Sequence, residues 1–223
     1  MKTYVHGLSI TLLAIAAVLG GRDKAAAVTF TFSNTGPITI NDNAAATPYP
    51  ATVTVSGFTA PIADLNVVVN GLSHTFPTDV GILLVGPGNQ TVVLMNNTGG
   101  INTITNVNLT FDDEAATPVP DPISGSLASG TYRPTNLAPA QNFLSPAPAG
   151  PYGSSLSVFD RTSANGVWRL FVEDFSAGDI GSISGGFGLQ ITVPEPSPLI
   201  LLAVGLLGVV LMSGRRPEDA DSR

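Results

Sequence analysis

After residue 27 the chain contains a single histidine that acid–base chemistry could use. His74 lies in the string SHTFPTDV at residues 73–80, five residues before Asp79. A hydrolase of the Ser-His-Asp type needs a histidine base that is oriented by a carboxylate and lies close to a nucleophile. The chain has no Gly-x-Ser-x-Gly string that would supply an activated serine. We therefore predict a structural, hydrogen-bonding role for His74, and a role as a base or metal ligand is the alternative.

Four aspartates fall at predicted strand ends or in predicted loops, where their side chains could converge on a cation. They are Asp79, Asp112, Asp113 and Asp174. Ca²⁺ binds oxygen ligands, about six to eight of them, and carboxylates are common among these. The four positions therefore predict a calcium site. The alternative is that these aspartates are solvated turn residues.

Composition excludes several other kinds of chemistry. The chain has no cysteine, so disulfides, thiolate catalysis and cysteine-based zinc sites are excluded together. Between residues 28 and 193 there are three basic residues, all arginine, against eleven acidic ones, a net charge of −8. A surface of this charge repels phosphate backbones. Nucleic acid is therefore not an expected partner.

The two ends of the chain differ from its middle. Residues 1–27 contain Lys2, an apolar run at 8–19 and the string AAA at 25–27, a pattern typical of a secretory signal peptide with its cleavage site. An uncleaved membrane anchor is the alternative. Residues 28–193, which we call the body, are long enough for one well-buried domain.

The C-terminal tail, residues 194–223, begins with Pro194, Glu195 and Pro196. An apolar run at 199–212 follows, and Arg215 and Arg216 come after it. Fourteen residues rise only about 21 Å as a helix, whereas a span of residues 199–214 approaches the roughly 30 Å of a bilayer core. The arginine pair would stay on the cytoplasmic side. We predict one transmembrane helix at 199–214, with the body outside the inner membrane.

This order of a Pro-Glu-Pro motif, a short apolar helix and an arginine pair resembles the PEP-CTERM sorting signal of Gram-negative bacteria. The resemblance implies that an exosortase processes the tail while the protein is delivered to the cell surface or extracellular matrix. Each proline excludes helical backbone from the residue before it, so an extended, accessible motif is expected. The alternative is a stiff linker before an ordinary tail anchor. The acidic residues after Arg216 depart from the usual short basic end.

The body is predicted to be all-β. Alternating segments at 28–32, 51–57 and 62–70 indicate strands, and the residues GPGN at 86–89 join two apolar runs, 82–85 and 91–95, into a hairpin. Residues 165–174 and 177–193 are expected to form the last hairpin, with Trp168 in the core. About nine strands and no amphipathic helix predict an antiparallel, two-sheet sandwich of jelly-roll type.

Two strings of the body resemble the P domain (P/Homo B domain), the β-sandwich that follows the catalytic domain of subtilisin-like proprotein convertases. The first is SHTFPTDV at 73–80 with LLVGP at 83–87, and the second is the Gly-x-Trp strand at 166–168 with GDIG at 178–181. The resemblance covers roughly residues 37–193 and implies a β-sandwich that often binds calcium in bacterial relatives. The catalytic domain of that family is absent, so protease activity does not transfer.

These observations favour a non-catalytic, exported protein that acts at the cell surface or in the extracellular matrix as a P-domain-like binding or structural module. Its expected partners are an exosortase, matrix or surface components and, through the C-terminal helix, the membrane. The alternative function is an accessory module that regulates a subtilisin-like protease or another secreted enzyme in trans.

Overall fold

The computed structural model describes residues 27–121, 123 and 125–195. Within them the chain forms twelve strands and two short 3-10 helices. The strands are β1 (Ala27–Asn34), β2 (Ile38–Ile40), β3 (Ala51–Val55), β4 (Asp64–His74), β5 (Val80–Val85), β6 (Thr91–Asn96), β7 (Ile104–Phe111), β8 (Gly130–Tyr132), β9 (Thr135–Asn136), β10 (Gly166–Asp174), β11 (Gly181–Ile183) and β12 (Phe187–Pro194). The 3-10 helices are η1 (Pro77–Asp79) and η2 (Leu156–Phe159).

The strands form two sheets, which confirms the prediction of an all-β body. The larger sheet has seven strands in the path β1-β12-β4-β11-β2, with β7 added on β4 and β8 on β7. The smaller sheet has the order β3-β10-β5-β6-β9. Most neighbours are antiparallel, but β6 and β9 are parallel, and so are β7 and β8. The expectation of purely antiparallel sheets is therefore wrong at these two short pairs, and the jelly-roll connectivity is not confirmed.

Strand β4 organises the larger sheet. Its first half pairs with β12 and its last three residues pair with β11, while β7 runs along the other side. The register on β7 shifts after Val69, and Gly71 there has a φ of +72°. A Cβ at Gly71 would also lie 2.2 Å from the Ser184 hydroxyl. Only glycine tolerates both the backbone angle and the close approach, so this residue lets one long strand serve two partners.

The hairpin predicted at 82–95 is present as β5 and β6. Its turn is closed by a hydrogen bond from the Gly86 amide to the Gln90 carbonyl at 2.9 Å, and Asn89 has a φ of +63°. All six residues of β5 are buried. A strand that is buried on both faces is a nearly continuous apolar run rather than an alternating one, which is the pattern of residues 80–85.

The predicted last hairpin does not form as expected. Strand β10 pairs with β3 and β5 in the smaller sheet, whereas β12 pairs with β1 and β4 in the larger one. The chain crosses between the sheets after Asp174, so β10 and β12 belong to different layers. The prediction that both strands contribute to a single core is nevertheless confirmed, because Trp168 and Leu189 are both fully buried in the same apolar cluster.

Trp168 lies near the middle of this core. Its indole nitrogen donates to the Ala164 carbonyl at 2.9 Å, and its ring packs on Phe159 with 4.9 Å between ring centroids. The hydrogen bond satisfies the only polar atom of the side chain, so the whole indole can be buried without an unpaired donor. The core therefore combines residues of both sheets with Phe159 of η2.

A second, smaller apolar cluster covers the outer face of the smaller sheet. Leu83, Val85, Val93 and Phe171 point outward and are covered by Phe143, with Tyr152 and Phe175 beside it. The proline-rich segment after β9 therefore covers this face of the smaller sheet. Its position is maintained by Glu173, whose buried carboxylate accepts a hydrogen bond from the Leu144 amide at 2.9 Å.

Truncation of Trp168 provides a test of this core. We expect Trp168→Ala to lower the free energy of unfolding by about 3–5 kcal/mol, because it creates a large cavity and removes an indole hydrogen bond. The measurement is urea denaturation of the full-length chain in detergent, followed by far-UV circular dichroism. Val167→Ala, at a neighbouring side chain that is 46% exposed, is the control with little expected effect. Equal stabilities of the two variants would contradict the assignment.

Candidate functional site

His74 is the last residue of β4 and is buried among polar groups of three elements. Its Nε2 lies 3.3 Å from Oδ2 of Asp174, and its Nδ1 accepts a hydrogen bond from the Phe76 amide at 3.2 Å. Since a backbone amide donates to Nδ1, the ring proton of the neutral histidine lies on Nε2, the ring atom next to the carboxylate. Nδ1 thus has a hydrogen-bond partner, whereas Nε2 and Oδ2 of Asp174 lie close together without the geometry of a hydrogen bond.

Asp174 ends β10 and fastens the loop that follows it. Its Oδ1 accepts a hydrogen bond from the Ser176 amide at 2.9 Å, and its side chain is fully buried beside His74. Burial raises the pKa of Asp174, and the hydrogen bond from Ser176 and the nearby His74 partly oppose that rise. Gly181 makes room for this pair, because a Cβ there would lie 2.3 Å from Cδ2 of His74.

Asp79, the other carboxylate predicted near His74, lies in η1 directly before β5. The register of β5 on β10 pairs Val80 with Asp174, so Asp79 and Asp174 are neighbours. The carbonyl of Asp79 accepts a hydrogen bond from the Phe175 amide at 3.0 Å. Burial raises the pKa of the Asp79 side chain, and the negative charge of Asp174 raises it further. We call this group of His74, Asp79 and Asp174 the histidine end.

The histidine end lacks the geometry of a nucleophilic catalyst. In residues 27–121, 123 and 125–195 no hydroxyl group forms a hydrogen bond with the His74 ring. The nearest serine and threonine hydroxyls of the sequence have other partners: Ser73 accepts from the Asn106 amide, and Thr75 donates to Asp179 at 2.6 Å. A general base must be within hydrogen-bond reach of the proton it removes, and His74 instead contacts a backbone amide and a buried carboxylate.

Asp112 and Asp113 lie far from the histidine end. They follow Phe111, the last residue of β7, which pairs with Val67 in the first half of β4, whereas His74 pairs with Ile104 at the start of β7. The eleven residues of β4 place its two ends roughly 33 Å apart at about 3.3 Å per residue. Asp112 accepts a hydrogen bond from the Glu114 amide at 2.8 Å, which closes a local turn.

The side chain of Asp113 organises the start of η2. It accepts hydrogen bonds from the Leu156 amide at 3.0 Å, the Ser157 amide at 2.9 Å and the Ser155 hydroxyl at 2.5 Å. Such bonds satisfy the unpaired amides at the first turn of a helix. Asp113 therefore joins the loop after β7 to the helix that supports Trp168 through Phe159.

Two acidic residues that the sequence analysis did not single out lie near Asp113. Asp64 starts β4 and Asp160 follows η2, and with Glu114 and Asp113 they line a small depression of about 90 Å³. Partial desolvation is the main cause that raises the pKa of the half-buried Asp64 and of the more exposed Asp160, and neighbouring carboxylates add to it. We call this group, with Asp112, the acidic end. No local sequence motif indicates the acidic end, because its members come from three segments that lie far apart in the chain.

The four predicted calcium ligands therefore do not form one site. Asp79 and Asp174 belong to the histidine end, and Asp112 and Asp113 to the acidic end. Among the residues that the structure describes, no group of three or more histidine, aspartate or glutamate side chains is arranged to hold a metal ion. Several of their oxygens already accept backbone hydrogen bonds. Calcium binding stays a prediction without a single assembled site.

The processing motif, Pro194, Glu195 and Pro196, begins at the very end of the body. Pro194 is the last residue of β12 and pairs with Ala27 of β1, and Glu195 is exposed. Pro196, the helix predicted at 199–214, Arg215 and Arg216 lie outside the described residues. So do residues 1–26 of the signal peptide predicted at 1–27, whereas its last residue, Ala27, starts β1. In the part that the structure describes, no helix is long and apolar enough to cross a membrane.

Comparison with protein families identifies the tail. Residues 192–216 match the model of the PEP-CTERM protein-sorting motif, which confirms the resemblance of this segment. The motif implies export, sorting toward the cell surface and processing by an exosortase. No curated protein matches the chain.

Two solved structures are similar to part of the fold. One is a chain from the crystal structure of the serine protease of Aeromonas sobria in complex with its chaperone ORF2, at 15% identity and a TM-score of 0.39. The other is the serine protease of Aeromonas sobria alone, at 15% identity and a TM-score of 0.35. The matches cover 77% and 75% of this chain but only 28% and 27% of the solved chains. They give no support to the P-domain resemblance, which stays a hypothesis.

Carboxylates that lose part of their hydration in the fold predict a decrease in stability as pH rises. Burial raises the pKa of Glu173 and Asp174, and partial desolvation raises the pKa of the half-buried Asp64 and Asp79 and of the more exposed Asp160. A carboxyl group with a raised pKa binds more protons in the folded state than in the unfolded state, so its contribution is complete below its ordinary pKa, about 4, and is lost as pH rises through the raised value. We expect the melting temperature of the full-length chain in detergent to fall from about pH 5 to 7.

Asp64→Asn should flatten that dependence, because the amide cannot ionise and the depression at the acidic end loses one charge. Glu195→Gln changes the charge equally at an exposed position and serves as the control that leaves the slope unchanged. A wild-type melting temperature that rises from pH 5 to 7 would contradict the prediction. Differential scanning calorimetry at constant ionic strength is the measurement.

Proposed function

We propose that this chain is a non-catalytic exported protein that an exosortase processes at its tail and that acts at the cell surface or in the extracellular matrix. The observation that supports the proposal most directly is the match of residues 192–216 to the PEP-CTERM protein-sorting motif. The body that precedes this motif is a compact pair of sheets whose last strand ends at Pro194. The part of the protein that the motif would sort is therefore a folded module and not an extended linker.

The body acts in this proposal as a P-domain-like binding or structural module. Support comes from where the two strings that resemble the P domain lie. The first runs from the end of β4 through η1 into β5, and the second begins β10, whose Trp168 is in the core. The first string and the Gly-x-Trp strand thus belong to the scaffold of the sandwich, whereas GDIG at 178–181 lies in the surface turn that leads into β11, with Ile180 66% exposed.

Absence of catalysis is part of the proposal. The histidine end offers a buried imidazole between a backbone amide and a buried aspartate, and the nearby hydroxyls have other partners. Proton transfer to a substrate would require His74 to abandon one of these contacts. A histidine in this position is better suited to joining β4, η1 and the loop after β10.

Calcium binding is a prediction within this proposal. The acidic end and the histidine end, which lie at opposite ends of β4, can be tested for it separately. Calorimetric titration of the EDTA-treated full-length chain with calcium is the measurement. If the acidic end binds the ion, Asp64→Asn should weaken the heat signal while Asp79→Asn leaves it unchanged, because the two residues lie at opposite ends of the strand. A wild-type chain that shows neither heat nor a rise in melting temperature would end the calcium prediction.

Localisation tests the proposed function. An epitope inserted beside Ile123, whose side chain is 95% exposed, would report the position of the intact chain and of a chain truncated after Val193. We expect the intact chain at the cell surface or in the matrix, and only in cells that contain an exosortase, whereas the truncated chain should not be retained there. Retention of both forms at the same surface site would contradict the role of the tail.

A further inference from the structure

Strand β1 presents the longest open edge of the two sheets. It forms one side of the larger sheet and, among the described residues, pairs only with β12. Within that part of the chain, the backbone of residues 28–33 forms no hydrogen bond outside this pairing. The free side of β1 is therefore a row of unpaired amide and carbonyl groups, which can accept a further strand.

The other outer strands of the larger sheet are short or covered. β2 has three residues, and its Thr39 exchanges two backbone hydrogen bonds with Thr47, at 2.9 and 2.8 Å. β8 also has three residues. Beside the part of β7 that β8 does not reach, the Ser129 hydroxyl accepts a hydrogen bond from the Asn108 amide at 2.9 Å. Natural sheets avoid pairing with other chains through such short or covered edges.

In the described part of the smaller sheet, the outer strands are short as well. β9 has two residues and β3 has five. The side chain of Asn34 donates a hydrogen bond to the Thr52 carbonyl of β3 at 2.9 Å, which occupies an acceptor on that edge. β1 has eight residues and its free side lacks such protection. It is therefore the edge at which the fold is open to another strand.

The sequence of β1 favours a second copy of this chain as the partner. Residues 27–34, AVTFTFSN, contain no charged side chain and no proline. The body has three basic and eleven acidic residues, a net charge of −8, so two copies repel each other least where both surfaces are uncharged. A basic partner would instead gain most at the acidic end or at the histidine end. The uncharged edge of an acidic body is therefore suited to self-association.

One face of β1 is aromatic. Phe30 and Phe32 pack edge to face on Phe58, with ring centroids 5.1 and 5.7 Å apart. These contacts hold the strand against the side of the sandwich, so its edge is fixed in an extended conformation before a partner binds. Phe30 is nevertheless 44% exposed and Val28 is 36% exposed. A neighbouring strand would cover part of this apolar surface, which favours association.

The other face of β1 carries hydroxyl groups. Thr29, Thr31 and Ser33 alternate with the apolar residues, and all three are exposed. The Thr29 hydroxyl lies 2.8 Å from that of Thr192 on β12. Because successive side chains of a strand point to opposite faces, the hydroxyl residues of β1 share one face and the aromatic residues share the other.

We propose that two copies of this chain join through β1, antiparallel and about a two-fold axis at Thr31. Such an axis is perpendicular to the sheet and keeps each face of the strand on its own side, so hydroxyl residues meet hydroxyl residues and aromatic residues meet aromatic ones. The two larger sheets become one continuous sheet. The inference goes beyond the proposed function, because it involves neither the tail nor export.

The register of the pair follows from the position of the axis. Thr31 lies opposite Thr31 of the second copy, and Phe30 lies opposite Phe32 of the second copy. Threonine pairs and aromatic pairs are both favourable across antiparallel strands. The ladder spans residues 28–34, so the predicted removal of residues 1–27 leaves it intact.

A single cysteine at the axis tests the pairing. The natural chain has no cysteine, and opposite Cα atoms of an antiparallel pair, about 4.5–5.5 Å apart, lie within the range of a disulfide. We expect the full-length Thr31→Cys chain in detergent to form a disulfide-linked dimer on mild oxidation, measured by non-reducing electrophoresis. A Thr31→Cys chain that keeps the wild-type melting temperature but stays monomeric on oxidation would overturn the proposal.

Thr29→Cys, on the same face of the same strand, is the matched control. Residue 29 lies opposite Ser33 of the second copy, so its own two copies are about 14 Å apart along the strands, too far for a disulfide. We expect Thr29→Cys alone to cross-link at least about tenfold more slowly than Thr31→Cys, because its cysteines are not held together. A mixture of Thr29→Cys and Ser33→Cys chains should form the mixed dimer rapidly. Equal rates for Thr29→Cys and Thr31→Cys would overturn the pairing.

A lysine at the axis tests association without a cross-link. Thr31→Lys places two like charges opposite each other, which destabilises a strand pair, and we expect dimerisation at least about tenfold weaker than that of the wild type. Thr131→Lys, at an exposed residue of β8 on the other side of the same sheet, is the control that should associate like the wild type. Sedimentation equilibrium of the full-length chains in detergent, over a range of concentrations, is the measurement.

The comparison of variants isolates β1 from the rest of the chain. Any association through the apolar run at 199–212 is common to all three chains, so the difference between Thr31→Lys and the wild type reports the strand alone. Equal association of these two chains would overturn the proposal, and so would equal weakening by Thr31→Lys and Thr131→Lys. The localisation experiment does not depend on either result, so the proposed function and this inference can fail separately.

Discussion

The packing of two sheets against each other through a single apolar layer is the interaction on which the rest of this structure depends. The chain has no cysteine, so no disulfide supplements the core. Trp168 of the smaller sheet and Leu189 of the larger one belong to the same buried cluster. Burial of apolar surface is the dominant favourable term in folding. The position of every other feature, including both carboxylate groups and the processing motif, follows from this contact.

The long strand β4 sets the distance between the polar groups. Asp64 starts it and His74 ends it, so the acidic end and the histidine end are separated by the length of the sandwich. The two ends also differ in their chemistry. At the histidine end a buried carboxylate has an imidazole beside it, whereas at the acidic end carboxylates are mainly surrounded by one another and by backbone amides. One catalytic or metal centre composed of both groups is geometrically impossible in this fold.

The outer face of the smaller sheet shows how polar and apolar contacts cooperate. Phe143 covers Phe171 and its neighbours, and the buried carboxylate of Glu173 receives the amide of the next residue, Leu144. Burial raises the pKa of Glu173, and the hydrogen bond from the amide acts in the opposite direction. These two contacts hold a proline-rich loop without regular structure at a defined position on the sheet.

Much of the local structure follows from local patterns. The alternation at β3, the hairpin turn at 86–89 and the fully apolar run of β5 all agree with the structure, since these signals depend on residues next to each other in the chain. The strand predicted at 28–32 also forms, but the first five residues of β1 are all exposed rather than alternately buried. The assignment of 165–193 to one hairpin was wrong. Nearness in sequence favours pairing, but β10 finds its partners in β3 and β5, and only the competition among all strands decides that outcome.

The sequence by itself determined the all-β class, the burial of Trp168, the acidic surface and the sorting motif at the tail, because each depends on residue type or on short spacing. Only the tertiary structure decided which carboxylates meet and which strand holds the end of β12. Those relations join residues that are separated by up to 167 positions, as in the pair Ala27 and Pro194. Such pairs arise when whole sheets pack together, and they cannot be read from the residues of one short segment.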